Sequence, residues 1–189
     1  MSEWLDLVGS FVIGGLIILI IINLNLSANT SATQNLYSNV TQRQVVSSVE
    51  VIEQDIYKIG YRVSNNAITK ADSNEIIFQV DRDNNGVQDQ IHYYLTGTSS
   101  MNNTYNPDDR LLWRKLNNET DETPFIVTKL NFSYQDSLGQ MIEYNSLSDQ
   151  LFRNKIKTIK VQIETQTGES VDGKYETIQW QKIIRPKNI

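Results

Sequence analysis

Residues 7–26 read LVGSFVIGGLIILIIINLNL, twenty positions without a charged side chain. At about 1.5 Å of rise per residue they form a helix about 30 Å long, which matches the hydrocarbon thickness of a bilayer. A cleaved secretory signal would have a basic start, an apolar core of roughly 7–15 residues and small residues at the cut. Here Glu3 and Asp6 precede the apolar run with no Lys or Arg, and only Thr30-Ser31-Ala32 looks like a cleavage site. The segment therefore reads as a retained membrane anchor.

Working outward, residues 27–39 are rich in Ser, Asn, Thr and Ala, a linker-like composition. Yet no Pro occurs before Pro107 and no Gly between Gly15 and Gly60, so nothing there is a strong helix breaker. Beyond it Val45, Val49, Ile52, Ile56, Ile59 and Val63 recur at 4-3-4-3-4 spacing, opposite Gln44, Glu50, Glu53, Gln54 and Lys58. This is the pattern of an amphipathic helix. One helix is expected to run through, with a membrane-spanning half in residues 1–26 and an amphipathic half in residues 27–64. Its stripe could pack on the chain's own sheet or in a coiled coil, but six stripe positions fall short of the three or four heptads that would establish the latter.

After Asn65 the hydrophobic period changes from 3.6 to 2. Ile76, Phe78 and Val80 alternate, as do Ile91, Tyr93 and Leu95. Leu111, Trp113 and Lys115 share one face, with Leu112, Arg114 and Leu116 on the other. Ile126, Thr128, Leu130, Phe132 and Tyr134 read as one face of a single long strand, and Ile159, Val161 and Ile163 as half of another. Residues 174–185 supply a last strand with Ile178, Trp180 and Ile184 inward, whereas residues 97–109 read as a polar excursion. Sequential strands with short connections predict an α+β fold: a long N-terminal helix packed on an antiparallel β-sheet domain of residues 65–189.

The 189 residues leave room for one soluble domain after the helix. A net charge of −5 with scattered Lys and Arg gives no basic stripe, so nucleic acid is not an expected partner. There is no Cys, which rules out disulfides and thiolate metal sites. Orientation signals are weak, because the first basic residue is Arg43. With only a short stub before the span, the β-domain is expected on the far side of the membrane.

One motif carries metal chemistry. In Asp81-Arg82-Asp83-Asn84-Asn85-Gly86-Val87-Gln88-Asp89, oxygen ligands stand at positions one, three, five and nine of a calcium loop, with Gly86 at the bend and the Val87 carbonyl at seven. Asp81, Asp83, Asn85, Val87 and Asp89 are thus candidate calcium ligands. The twelfth position holds His92 rather than Glu, so a full EF-hand is not expected, and Asn85-Gly86 is equally a type I′ hairpin signal. No other cofactor is indicated.

His92 is the only histidine, and no P-loop, G-x-G-x-x-G, G-x-S-x-G or H-E-x-x-H occurs, so the chain is not expected to be an enzyme. The paired carboxylates Asp108-Asp109 and Asp121-Glu122 read as solvated loop residues. Asn-x-Ser/Thr sequons include those at Asn29, Asn39, Asn102, Asn118 and Asn131 and matter only in a glycosylating secretory pathway.

An apolar span continuing into an amphipathic helix, with an antiparallel sheet behind it, resembles type IV pilins and type II secretion pseudopilins. Within that group, Gln54-Asp55-Ile56-Tyr57-Lys58-Ile59-Gly60-Tyr61 is similar to the helix end of W-class minor pilins and J-type pseudopilins, and the order of the downstream strands is similar too. The family's prepilins carry a basic leader ending in Gly, then Phe or Met, with Glu at mature position five. Here Phe11 follows Ser10, and Asp6 falls fifth if Met1 is removed. The resemblance implies that Asp6 pairs with the α-amino group of a neighbouring subunit; the other reading is a wet cytoplasmic flank. It also implies a structural subunit of an extracellular or periplasmic filament, with copies of itself or related pilin-like subunits as partners and membrane lipid before assembly. Gly9, Gly14 and Gly15 would allow close helix packing, although Gly is common in membrane helices generally. The alternative is a non-polymerising single-span protein whose β-domain binds a partner or calcium.

Overall fold

The computed structural model describes residues 2–101, 104–117 and 122–189. Met1, the sequons at Asn102 and Asn118, and Asp121 lie outside the described residues. Helix α1 runs unbroken over Ser2–Tyr57. Its 56 residues extend about 84 Å at about 1.5 Å each. Ile59 and Val63, counted in the apolar stripe, fall past its end. Lys58 and Ile59 donate their N–H groups to Asp55 and Ile56 in a tightened last turn, and Gly60 leaves it at φ +78° with its N–H on the Gln79 carbonyl at 3.0 Å.

Among the described residues eight strands follow: β1 Ile68–Ala71, β2 Glu75–Val80, β3 Asp89–Leu95, β4 Arg110–Leu116, β5 Glu122–Val127, β6 Lys129–Gln135, β7 Thr158–Gln166 and β8 Thr177–Ile184. All pairings between them are antiparallel. They form two sheets, β1-β2-β3-β4-β5 and β6-β7-β8. A one-turn helix, α2 Gln150–Arg153, capped by the Asp149 carboxylate, lies in the β6–β7 connection. The α+β class and the helix-on-antiparallel-sheet packing are as the periodicity predicts.

The division into two sheets is not. What reads as one strand through residues 126–134 is two, parted at Thr128. Ile126 is 49% exposed, and the next two residues, Val127 and Thr128, are both buried, so alternation slips by one position. Thr128 donates both its N–H and its Oγ1 hydroxyl to the Glu164 carbonyl, at 2.8 and 3.0 Å, which anchors the start of the second sheet to β7. Ile126 therefore does not share the inward face of Leu130, Phe132 and Tyr134.

The core lies where α1 meets both sheets. Val45, Val49, Ile52 and Ile56 of α1 and Ile59 join Ile76, Phe78, Ile91 and Tyr93 of the first sheet and Phe132, Ile159 and Val161 of the second in one buried cluster. Each fully buried Ile or Phe contributes about 1.5–3 kcal/mol relative to exposure. The stripe is thus satisfied by the chain's own sheets. At the outer turn of α1, Lys182 of β8 pairs with Glu53.

Candidate functional site

Among the described residues, the apolar N-terminal part of α1 is left unburied by the rest of the chain. The first links across are Tyr37 Oη to Glu169 Oε2 at 2.6 Å and Ser38 Oγ to Glu176 Oε1 at 3.2 Å. N-terminal to Tyr37, about 50 Å of helix stands free, at about 1.5 Å per residue. Leu5, Phe11, Ile13, Leu16, Ile18, Ile20 and Leu24 along it are all exposed. A soluble surface rarely carries a contiguous apolar area of this extent without a membrane or partner to cover it. Among the described residues, this one helix is long and apolar enough to cross a membrane.

The candidate assembly residues lie on this free segment. Gly9, Gly14 and Gly15 have no atom within 4 Å of where a Cβ would stand, helix backbone aside. Their faces are open to another helix. Asp6 is exposed, and its carbonyl accepts the Ser10 Oγ hydroxyl at 2.8 Å.

At the other end of α1 the helix is clamped by charge. Asp55, 8% exposed, accepts Arg114 Nε at 2.6 Å and Nη2 at 3.3 Å, together with the Tyr93 hydroxyl at 2.7 Å. Tyr93 and Arg114 stand opposite each other on β3 and β4, so both strands are tied to one helical carboxylate. Burial, reinforced by the Asp55 charge, pushes the Tyr93 hydroxyl pKa well above its usual value. Burial works to lower the Arg114 pKa, but the hydrogen bond and charge of Asp55 outweigh it and the net shift is upward. The strand pattern held a signal for this clamp: Arg114 shares its face with the buried Leu112, and an inward guanidinium requires an acid.

The Asp81 loop joins β2 to β3. Asp81, 1% exposed, accepts the Gly86 N–H at 3.2 Å and Arg62 Nη1 at 3.3 Å, both on Oδ2; its buried Oδ1 has no hydrogen-bond partner. Asp83 Oδ1 accepts the Asn85 N–H at 3.2 Å, and Asn85 Oδ1 accepts the Val87 N–H at 2.6 Å. Asp89 accepts the Arg82 N–H at 3.1 Å on Oδ2 and Asn117 Nδ2 at 2.8 Å on Oδ1. Asn84 and Gly86 take φ of +62° and +83°. Among the described residues, no three acidic or imidazole side chains already converge as a metal cluster.

His92, the twelfth residue of the motif, points to Glu75 across the β2–β3 pair, with Nε2 and Oε1 2.8 Å apart. Asp109 is a second buried carboxylate with an unpartnered Oδ1, and burial raises its pKa against an opposing Thr104 hydrogen bond. Of the sequons in view, Asn29 and Asn39 are exposed, whereas the Asn131 amide is engaged by Gln162 and Tyr144. No family model, curated protein or solved structure matches this chain.

Proposed function

We propose that the chain is a membrane-anchored structural subunit that assembles into a type IV-type filament, with the free half of α1 packed in the filament core and the two-sheet domain outside. The observation that carries this reading is the exposed apolar helix, continuous with a helical half held in its own domain. Before assembly, lipid covers the apolar residues. Lipid supplies no hydrophobic incentive for helices to associate, so close approach at Gly9, Gly14 and Gly15 and an ionic partner for Asp6 would drive packing between copies. In this reading the β-domain lies outside the cytoplasm and the chain has no catalytic role. A single-span protein that never polymerises is the other reading.

Negative-stain microscopy of sheared surface fractions, probed with antibody to the β-domain, separates the two. Labelled filaments that disappear in Asp6→Ala support assembly through the free helix. Protein found only in the membrane fraction, with no labelled filament, overturns it.

A further inference from the structure

We propose that the β2–β3 loop, from Asp81 to Asp89, is a calcium site, independent of whether the chain polymerises. The decisive group is Asp81. Its carboxylate is enclosed, Oδ2 is turned onto the Gly86 N–H inside the loop, and Oδ1 is buried with no donor. A buried carboxylate oxygen without a partner is uncommon, because its lost hydration goes uncompensated. Arg62 offsets this in part only: its side chain is 53% exposed and it reaches Oδ2, not Oδ1.

The neighbouring residues are those a hard cation requires. Calcium takes six to eight oxygen ligands at about 2.3–2.6 Å, from carboxylates, amide carbonyls, backbone carbonyls and water. Asp83 and Asn85 each bind a loop N–H through one oxygen lone pair and retain further acceptor capacity. Asp89 stands where a ligand often acts through water. Gly86, at φ +83°, provides the bend that brings the two ends of the loop together. Binding would draw Asp83 away from its bond to the Asn85 Nδ2, 2.9 Å long, and place both side chains on the ion. Since His92 is committed to Glu75, water completes the shell in place of a bidentate Glu. Such a shell resembles the weaker extracellular calcium modules, with dissociation constants of about 10⁻⁴–10⁻³ M.

The test uses the full chain in detergent, stripped with chelator and titrated with CaCl2 in a calorimeter, with MgCl2 as the comparison. One saturable calcium site is expected, weakened about tenfold or more in Asp83→Ala, whose side chain is exposed and whose loss leaves the core intact. Asp81→Asn should remove binding, with circular dichroism to show that the domain is folded. Arg62→Gln, which removes the competing cation, should tighten it. Absence of saturable heat up to about 10⁻² M, ten times the weakest range above, would overturn the site. So would equal affinity for magnesium, or full affinity in Asp83→Ala.

Discussion

Asp55 on α1 and Arg114 on β4, 59 residues apart in the chain, meet through two hydrogen bonds of 2.6 and 3.3 Å with side chains only 11% and 14% exposed. Helix and first sheet are thereby fixed in register at one point. Removing one partner leaves an uncompensated buried charge, so Arg114→Ala or Asp55→Ala should each cost about 3–5 kcal/mol. The double variant Asp55→Leu with Arg114→Met, which removes both charges, should recover much of that loss. Urea unfolding of the four proteins checks it; single variants within about 0.5 kcal/mol of the parent, the range of ordinary surface changes, would show that the pair is inert.

Tyr93 and Tyr134 both have pKa values raised well above the ordinary tyrosine value, chiefly by burial. Each phenol holds its proton more tightly folded than unfolded. Their contribution is therefore fully present below about pH 10 and is lost as the pH rises through the higher folded values. Thermal unfolding should show a stability that falls above about pH 10, less steeply in Tyr93→Phe. At neutral pH that variant should also lose about 1.5–3 kcal/mol for the missing bond to a carboxylate.

Gly60 and Gly139 share a left-handed backbone, φ +78° and +76°, but not their surroundings. A Cβ at Gly60 would lie 2.7 Å from the Asn188 carbonyl oxygen and 2.9 Å from Ile189 Cγ2, whereas nothing approaches Gly139 within 4 Å. Gly139→Ala should cost about 1 kcal/mol for the backbone alone. Gly60→Ala should cost about 2–4 kcal/mol, because crowding against the C-terminus adds to the strain. Comparable denaturation midpoints for the two variants would contradict the role given to that contact.

The two halves of α1 should respond differently to the same kind of truncation. Ile52 is 0% exposed and Leu16 is 55% exposed. Ile52→Ala should destabilise the domain by about 2–5 kcal/mol. Leu16→Ala should leave unfolding of the domain within about 0.5 kcal/mol. Tryptophan fluorescence during urea titration, read alongside flotation with lipid vesicles, assigns each effect to its half.

Helix α1, its apolar free end and the stripe that docks it were legible because they depend on neighbours three or four residues away. Helical periodicity is a local property, and the absence of Pro and Gly between Gly15 and Gly60 is visible in the chain alone. The alternating strands around Phe78 and Val161 were legible for the same reason. The short β1 strand was not, because its pairing with β2 carries a register irregularity between Ile68 and Lys70. The Asp81 loop was legible as a pattern of ligand types, but not the orphaned Oδ1, which exists because of how the loop is buried.

The break at Thr128 was hidden because both segments flanking it alternate correctly; the slip shows only when Glu164, 36 residues on, captures Thr128. The Asp55–Arg114–Tyr93 cluster was legible in one member only: Arg114 on the face of the buried Leu112 calls for an acid, but which acid answers it is a long-range matter. Each residue has an ordinary local role, in a helix or a strand, and the cost of burying any one is offset only by the other two. Patterns repeated along the chain prescribe elements and their buried faces. Which faces meet, and where a strand leaves one sheet for another, is set by contacts between distant residues whose energies exist only in the assembled core.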